Sequence, residues 1–186
     1  MNMYLQTGLL IIILSIIPGC SWFSSSQKNA GCGCSHGVCR VGASAKEQKV
    51  SLRLVNVLDK ELFDDAHIAG GEKVESICVS VDDLARIAKS WDLKVPVVTY
   101  CSNYFCSASG EAASLLKSMG FESVYAYEGG IAEWYQLHHD SAPALLEGPM
   151  LEEYLQMVIP MPEDLEEKDG IITAAELQNM IKKATL

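Results

Sequence analysis

Apolar positions fall into distinct regimes along the chain. Residues 9–18, LLIIILSIIP, form an apolar run interrupted by Ser15, short for a bilayer span, which needs about 20 residues. From residue 21 to 49 no hydrophobic period is sustained, and Ser, Gly, Ala, Lys and Gln dominate. Such a composition buries too little apolar surface to offset chain entropy, which predicts a flexible tether. Beyond it, short β-rich runs alternate with helical periods. LRLVNV (52–57), SICVS (76–80), VVTYC (97–101) and VYAYEG (124–129) read as strands. Ser80 can cap a helix with Val81, Leu84, Ile87 and Trp91 on one face and Asp82 and Asp83 at its positive end. Ser107 or Ser109 opens a second helix through Leu115, Leu116 and Met119, stopped by Gly120. A third starts after Gly129-Gly130 and includes Ile131 and Trp134. This alternation predicts an α/β fold, with a mainly parallel sheet covered by helices on both faces.

The 186 residues suit one domain with extensions, and 14 Lys+Arg against 24 Asp+Glu give a net charge of −10. An acidic chain lacks the basic face that phosphate binding needs, so nucleic acid is not an expected partner. At 49% hydrophobic and 20% charged residues the chain is no disordered polyelectrolyte.

Each of the seven cysteines needs its own account. The short apolar run ends in Ile17-Pro18-Gly19-Cys20 and passes into SWFSSSQKNAG. This resembles a bacterial lipoprotein signal (1–19), cut before a Cys that becomes lipidated, although MNMYLQTG carries no Lys or Arg and Pro18 is unusual there. The resemblance implies export, a lipid anchor on Cys20, and a disulfide-permissive location facing the periplasm or cell exterior. The tether (20–49) holds Cys32, Cys34, His36 and Cys39. These could wrap a soft or borderline ion, but the spacing matches no zinc knuckle, and disulfides or free thiols are the simpler expectation. Cys78, inside a strand, reads as a small buried hydrophobe.

Cys101 differs, because it ends a strand and precedes a helix, where ligands gather in open parallel sheets. The helix's positive end, with loop N–H groups curled round the sulfur, would favour a thiolate below the ordinary pKa of about 8.5. The expected chemistry is a sulfur nucleophile.

From about residue 50 to 140 the chain resembles a single rhodanese-like domain. The resemblance is carried by AHIAGG (66–71), VVTYCSNYFCSAS at the loop, and GFESVYAYEGGIAEW (120–134). It implies a three-layer α/β domain and sulfane sulfur carried as a persulfide on Cys101, passed from a sulfur donor to a thiol acceptor without a cofactor. The loop residues Ser102, Asn103, Tyr104 and Phe105, through Cys106 to Ser107, would cradle the sulfur, and His67 and Trp134 would be structural. This chain departs from the family pattern at Asn56, Leu58 and Ala66. Above all, Cys106 stands where a basic residue is usual. A fixed cation there helps to bind a dianion such as thiosulfate, so its absence makes thiosulfate a poor expected substrate. Phosphoryl chemistry would need a longer loop closed by Arg, and position 107 is Ser.

Cys106 opens a second possibility. Five positions from Cys101, it could resolve a mixed disulfide or persulfide if the Cα atoms lie within about 7 Å. Three readings therefore stand together: sulfurtransferase, dithiol redox exchange with a small or protein thiol, and a catalytically silent binding module. His138 and His139 could supply a base or merely end a helix, and Tyr104 and Phe105 could form an apolar rim or pack inward.

In the C-terminal extension (141–186), MLEEYLQMVIP predicts a short helix ended before Pro160. Gly170, Ile172 and Glu176 match part of an EF-hand loop, but Leu165 stands at its first ligand position. A capping box of Thr173 with Glu176, opening an amphipathic helix through Ile181, is simpler. Met150, Met157, Met161 and Met180 read as packing residues.

Overall fold

In this computed structural model the residues described are 39–40 (backbone only), 49–141, 145–163, 165 and 169–186. The expected lipidation site Cys20 and the tether residues Cys32, Cys34 and His36 lie outside them, as does the side chain of Cys39. All of the described residues fall in one compact unit, Cys34–Leu186.

The main sheet holds β1 (Cys39–Arg40), β2 (Leu52–Asn56), β4 (Val74–Cys78), β5 (Val97–Tyr100) and β6 (Val124–Tyr127), in the order β1-β4-β2-β5-β6. β2 runs parallel to both β4 and β5, and β5 parallel to β6, while β1 pairs antiparallel at the edge. A separate pair, β3 (His67–Ile68) and β7 (Leu146–Glu147), is antiparallel. The helices are α1 (Lys60–Asp65), α2 (Val81–Ala88), α3 (Ala108–Ser118), α4 (Gly130–His138) and α5 (Ala174–Thr185).

Strand alternation sorts the core into two layers. Leu54, Val98, Tyr100 and Tyr127 face Ile131, Trp134, Leu155 and Leu177. Val55, Val57, Ile77 and Val97 face Leu84, Ala112 and Leu116 on α2 and α3. Both faces are covered, as the near-continuous apolar strands require. Arg53 is a buried exception: its guanidinium bonds Glu75 at 2.7 Å and lies 4.2 Å over the Trp91 ring.

The predicted elements shift where side-chain chemistry intervenes. The strand expected over 76–80 is Val74–Cys78, because Ser80 leaves the sheet to cap α2 and accepts the Asp83 N–H at 3.3 Å. VVTYC pairs only through Tyr100, so Cys101 begins the loop. No signal predicted α1 or the β3–β7 pair, whose strands are two residues each.

Beyond residue 140 the chain returns to the core. The buried carboxylate of Asp65 accepts the N–H groups of Leu151 and Glu152 at 2.9 and 3.2 Å. The helix expected over MLEEYLQMVIP contracts to one 3₁₀ turn, Glu153–Gln156, which buries Leu155. Ala126 donates to the Gly170 carbonyl at 2.8 Å and accepts from Ile172 at 3.0 Å, adding a parallel bridge beside β6. α5 then packs over β2 and β4 with Leu177 fully buried, and its Thr173–Glu176 capping box is formed. Leu165 is buried too, an apolar packing position rather than a cation ligand. Met150 and Met180 pack on this layer as expected, whereas Met157 and Met161 are exposed. Among the described residues no helix is long and apolar enough to cross a membrane.

Candidate active site

β5 delivers Cys101 to the carboxyl edge of the sheet, and the chain turns there into α3. The thiol is fully buried. Its sulfur donates to the Cys106 carbonyl oxygen at 3.1 Å, with the Asn103 carbonyl at 3.9 Å and the Ser109 hydroxyl at 3.5 Å. Asn103 organises the turn. Its side-chain oxygen accepts the Phe105 N–H at 3.0 Å, and its carbonyl accepts the Cys106 N–H at 3.0 Å.

This arrangement corrects the expected thiolate nest. The Phe105 and Cys106 amides are turned to Asn103, and the sulfur faces carbonyl oxygens that stabilise S–H rather than S⁻. Burial pushes the Cys101 pKa up to about 12; a hydrogen bond with the Cys106 side chain adds to this and Ser109 opposes it. In the resting loop Cys101 is held as a thiol.

α4 clasps the loop from the other side. Ile131 and Ala132 donate their N–H groups to the carbonyls of Cys101 and Ser102 at 2.9 and 3.0 Å. These otherwise orphan amides of the helix's first turn are thus satisfied by the reactive loop. Gly130 permits the approach: its φ is +63°, and a Cβ there would lie 2.5 Å from the Cys101 carbonyl oxygen. Tyr104 donates to Glu133 Oε1 at 2.8 Å, and Tyr127 donates to Glu133 Oε2 at 2.6 Å. Burial and the Glu133 carboxylate hold both phenols above the usual tyrosine range. Tyr104 is therefore a polar anchor rather than part of an apolar rim. Phe105, 83% exposed, stands alone as the rim residue.

The remaining candidates divide. Cys106 is half-buried beside Cys101. Ser107 directs its hydroxyl to Glu111 at 2.7 Å instead of into the loop. His138 packs against Trp134 at 4.3 Å, and burial lowers its pKa. His139 lies 3.0 Å from the Tyr135 carbonyl and 3.1 Å from Asp140. None of these contacts involves Cys101. His67 stacks on Phe63, and Trp134 donates to the Leu145 carbonyl at 3.0 Å, both structural contacts. Among the described residues no group of three or more His, Cys, Asp or Glu is arranged to hold a metal. Sequence reasoning missed Ser109, Tyr127, Gly130 and Glu133 as members of the site. The Gly-Gly pair at 129–130 was the one signal that something approaches closely there.

A family model, the rhodanese-like domain, matches residues 42–137. The thiosulfate sulfurtransferase GlpE of Pseudomonas fluorescens (strain SBW25) is 35% identical over 81 residues, 44% of this chain and 68% of that protein. The thiosulfate sulfurtransferase GlpE of Shewanella oneidensis is 29% identical over 86 residues, 46% of this chain and 78% of that protein. Among solved structures, the Rhodanese_3-like domain of the Alr3790 protein from Anabaena sp. is 25% identical, with a TM-score of 0.42. That alignment covers 52% of this chain and 98% of the Anabaena domain. With a parallel α/β sheet, Cys101 at the carboxyl edge of β5 and a match across half of its length, the chain belongs to the rhodanese-like domain family.

Proposed function

We propose that the protein is a sulfurtransferase that carries sulfane sulfur as a persulfide on Cys101, drawn from a persulfide donor rather than thiosulfate. The observation that carries this reading is the position of Cys101 at the end of β5, on a loop clasped by the first turn of α4. The choice of donor follows from charge. The loop from Cys101 to Ser107 has no Lys or Arg, and the carboxylates of Glu133 and Glu128 act on Tyr104 within it. A dianion meets no counter-charge in that loop, so the thiosulfate named for the relatives suits it poorly.

A persulfide donor also resolves the proton question. Cys101 attacks the outer sulfur of R–S–SH, the donor S–S bond breaks, and RS⁻ leaves. The departing thiolate takes up the proton of the Cys101 thiol, giving Cys101–S–SH and RSH, and no histidine base is required. For the sulfur to carry charge, the Cys106 carbonyl must turn away, so donor binding and a loop shift go together.

The site is read as exported and held at a membrane by acyl chains on Cys20. Its partners are a small sulfur donor and a thiol acceptor, small or protein-borne. The test is mass analysis of the alkylated protein after exposure to glutathione persulfide or to thiosulfate. The expected result is one extra sulfur on Cys101 with the persulfide, little with thiosulfate, and none in Cys101→Ser. Absence of sulfur on Cys101 under every donor, with no sulfide released and no Cys101–Cys106 disulfide formed, would leave a silent binding module. The contact of Cys101 Sγ with the Cys106 backbone at 3.1 Å supports a second reading, dithiol exchange. Disulfide formation with oxidised glutathione, together with no sulfur uptake, would favour it.

A further inference from the structure

We propose that Cys106 resolves the Cys101 persulfide, releasing hydrogen sulfide and leaving a Cys101–Cys106 disulfide; this rests on persulfide formation at Cys101. The two residues are already in contact. Cys101 Sγ lies 3.1 Å from the Cys106 carbonyl oxygen, so position 106 sits directly against the sulfur. The turn closed by Cys106 N–H on the Asn103 carbonyl at 3.0 Å folds position 106 back over position 101. Cys101 is fully buried, whereas Cys106 is half-exposed. Release as sulfide needs attack on the inner sulfur, a buried atom that an external thiol reaches poorly and beside which Cys106 already stands.

The chemistry balances without a further oxidant. Cys106 Sγ attacks Cys101 Sγ, a new S–S bond forms, and the bond from Cys101 Sγ to the terminal sulfur breaks. That sulfur leaves as HS⁻ and takes the Cys106 proton as H₂S. On the formal count the terminal sulfur is reduced to sulfide and Cys106 Sγ is oxidised to the disulfide level, while Cys101 Sγ exchanges one S–S bond for another and does not change. Two equivalents of a low-molecular-weight thiol then reduce the disulfide and restore the loop. Cys106 would thereby add release as sulfide to delivery of the sulfur to an external thiol.

The test uses the full chain, reduced and freed of reductant, then mixed with one equivalent of glutathione persulfide and quenched in acid over a time course. In the wild type, a transient extra sulfur on Cys101 should give way to a Cys101–Cys106 linked peptide as free sulfide appears. Cys106→Ser should stop at the persulfide and release none. A wild-type persulfide that persists with no linked peptide would sink the resolving role while leaving sulfur carriage intact. Sulfur found on Cys106 would also overturn it, in favour of handover between the cysteines. No sulfur on either residue at any time, in the wild type or in Cys106→Ser, with no sulfide released, would remove the persulfide reading itself. The wild-type time course decides the matter even if the variant folds poorly.

Discussion

Tyr104 donates its phenolic hydrogen to Glu133 Oε1 at 2.8 Å, tying the reactive loop to α4. The other oxygen of the same carboxylate holds Tyr127 at the end of β6. One side chain thereby joins the loop, the sheet edge and the helix. Hydrogen bonds to a charged group contribute about 1.5–3 kcal/mol when well shielded. Tyr104 is only partly buried, so Tyr104→Phe is expected to cost about 1–2 kcal/mol in urea unfolding. It should also speed alkylation of Cys101, since the loop covering that thiol loses its anchor. An alkylation rate equal to wild type would show that Tyr104 does not hold the loop closed.

The buried thiol sets a pH dependence. Burial pushes the Cys101 thiol up to about 12 in the folded protein, well above the ordinary cysteine range. Its contribution to stability is complete below the unfolded value and is lost as pH rises through that window, because only the unfolded chain gives up the proton readily. Cys101→Ala should flatten the alkaline limb of stability against pH. Near neutral pH, iodoacetamide should label half-exposed Cys106 before Cys101, as peptide mapping would show. Preferential labelling of Cys101 would mean that the loop opens spontaneously to a thiolate form.

The C-terminal helix belongs to the core that carries the site. Leu177→Ala removes a fully buried side chain and should cost about 2–5 kcal/mol. Thr173→Ala removes the cap at the start of α5 and should cost about 1 kcal/mol. Denaturant titration of both variants separates the two effects. Equal and negligible losses would mean that α5 contributes nothing to folding.

Processing at Cys20 is open to direct test in a bacterial host. The native chain should incorporate labelled palmitate and start at Cys20, and Cys20→Ala should do neither. Labelling that survives the substitution would place the lipid elsewhere or exclude the lipoprotein reading.

Much of the architecture was legible because apolar periodicity reports burial directly. The runs at 52–57, 97–101 and 124–129 appear as β2, β5 and β6 within a residue or two. The capping residues Ser80 and Thr173 are where side-chain chemistry requires them. The short pair β3–β7 left no signal, because two-residue strands have no period to read. Over MLEEYLQMVIP the chain forms only the 3₁₀ turn Glu153–Gln156 in place of the expected helix. A single buried Leu155 with Asp65 holding the preceding amides replaces a continuous helical face.

For the site, local chemistry identified Cys101 as the residue at the strand-to-helix junction, with Cys106 five positions on. A strand end followed by a helix start is written in adjacent residues, so the chain alone determines it. The state of the thiol is not written there. Asn103 captures the Phe105 and Cys106 amides, and the Cys106 carbonyl turns toward the sulfur. Those are choices of backbone orientation, which residue types in a short loop do not dictate. Glu133 lies 29 residues from Tyr104 in sequence, and it meets the loop only because β5 and β6 pair in parallel and α4 folds back. Burial and long-range hydrogen bonding arise from packing among distant segments, and they alone decided that Cys101 rests as a protonated thiol.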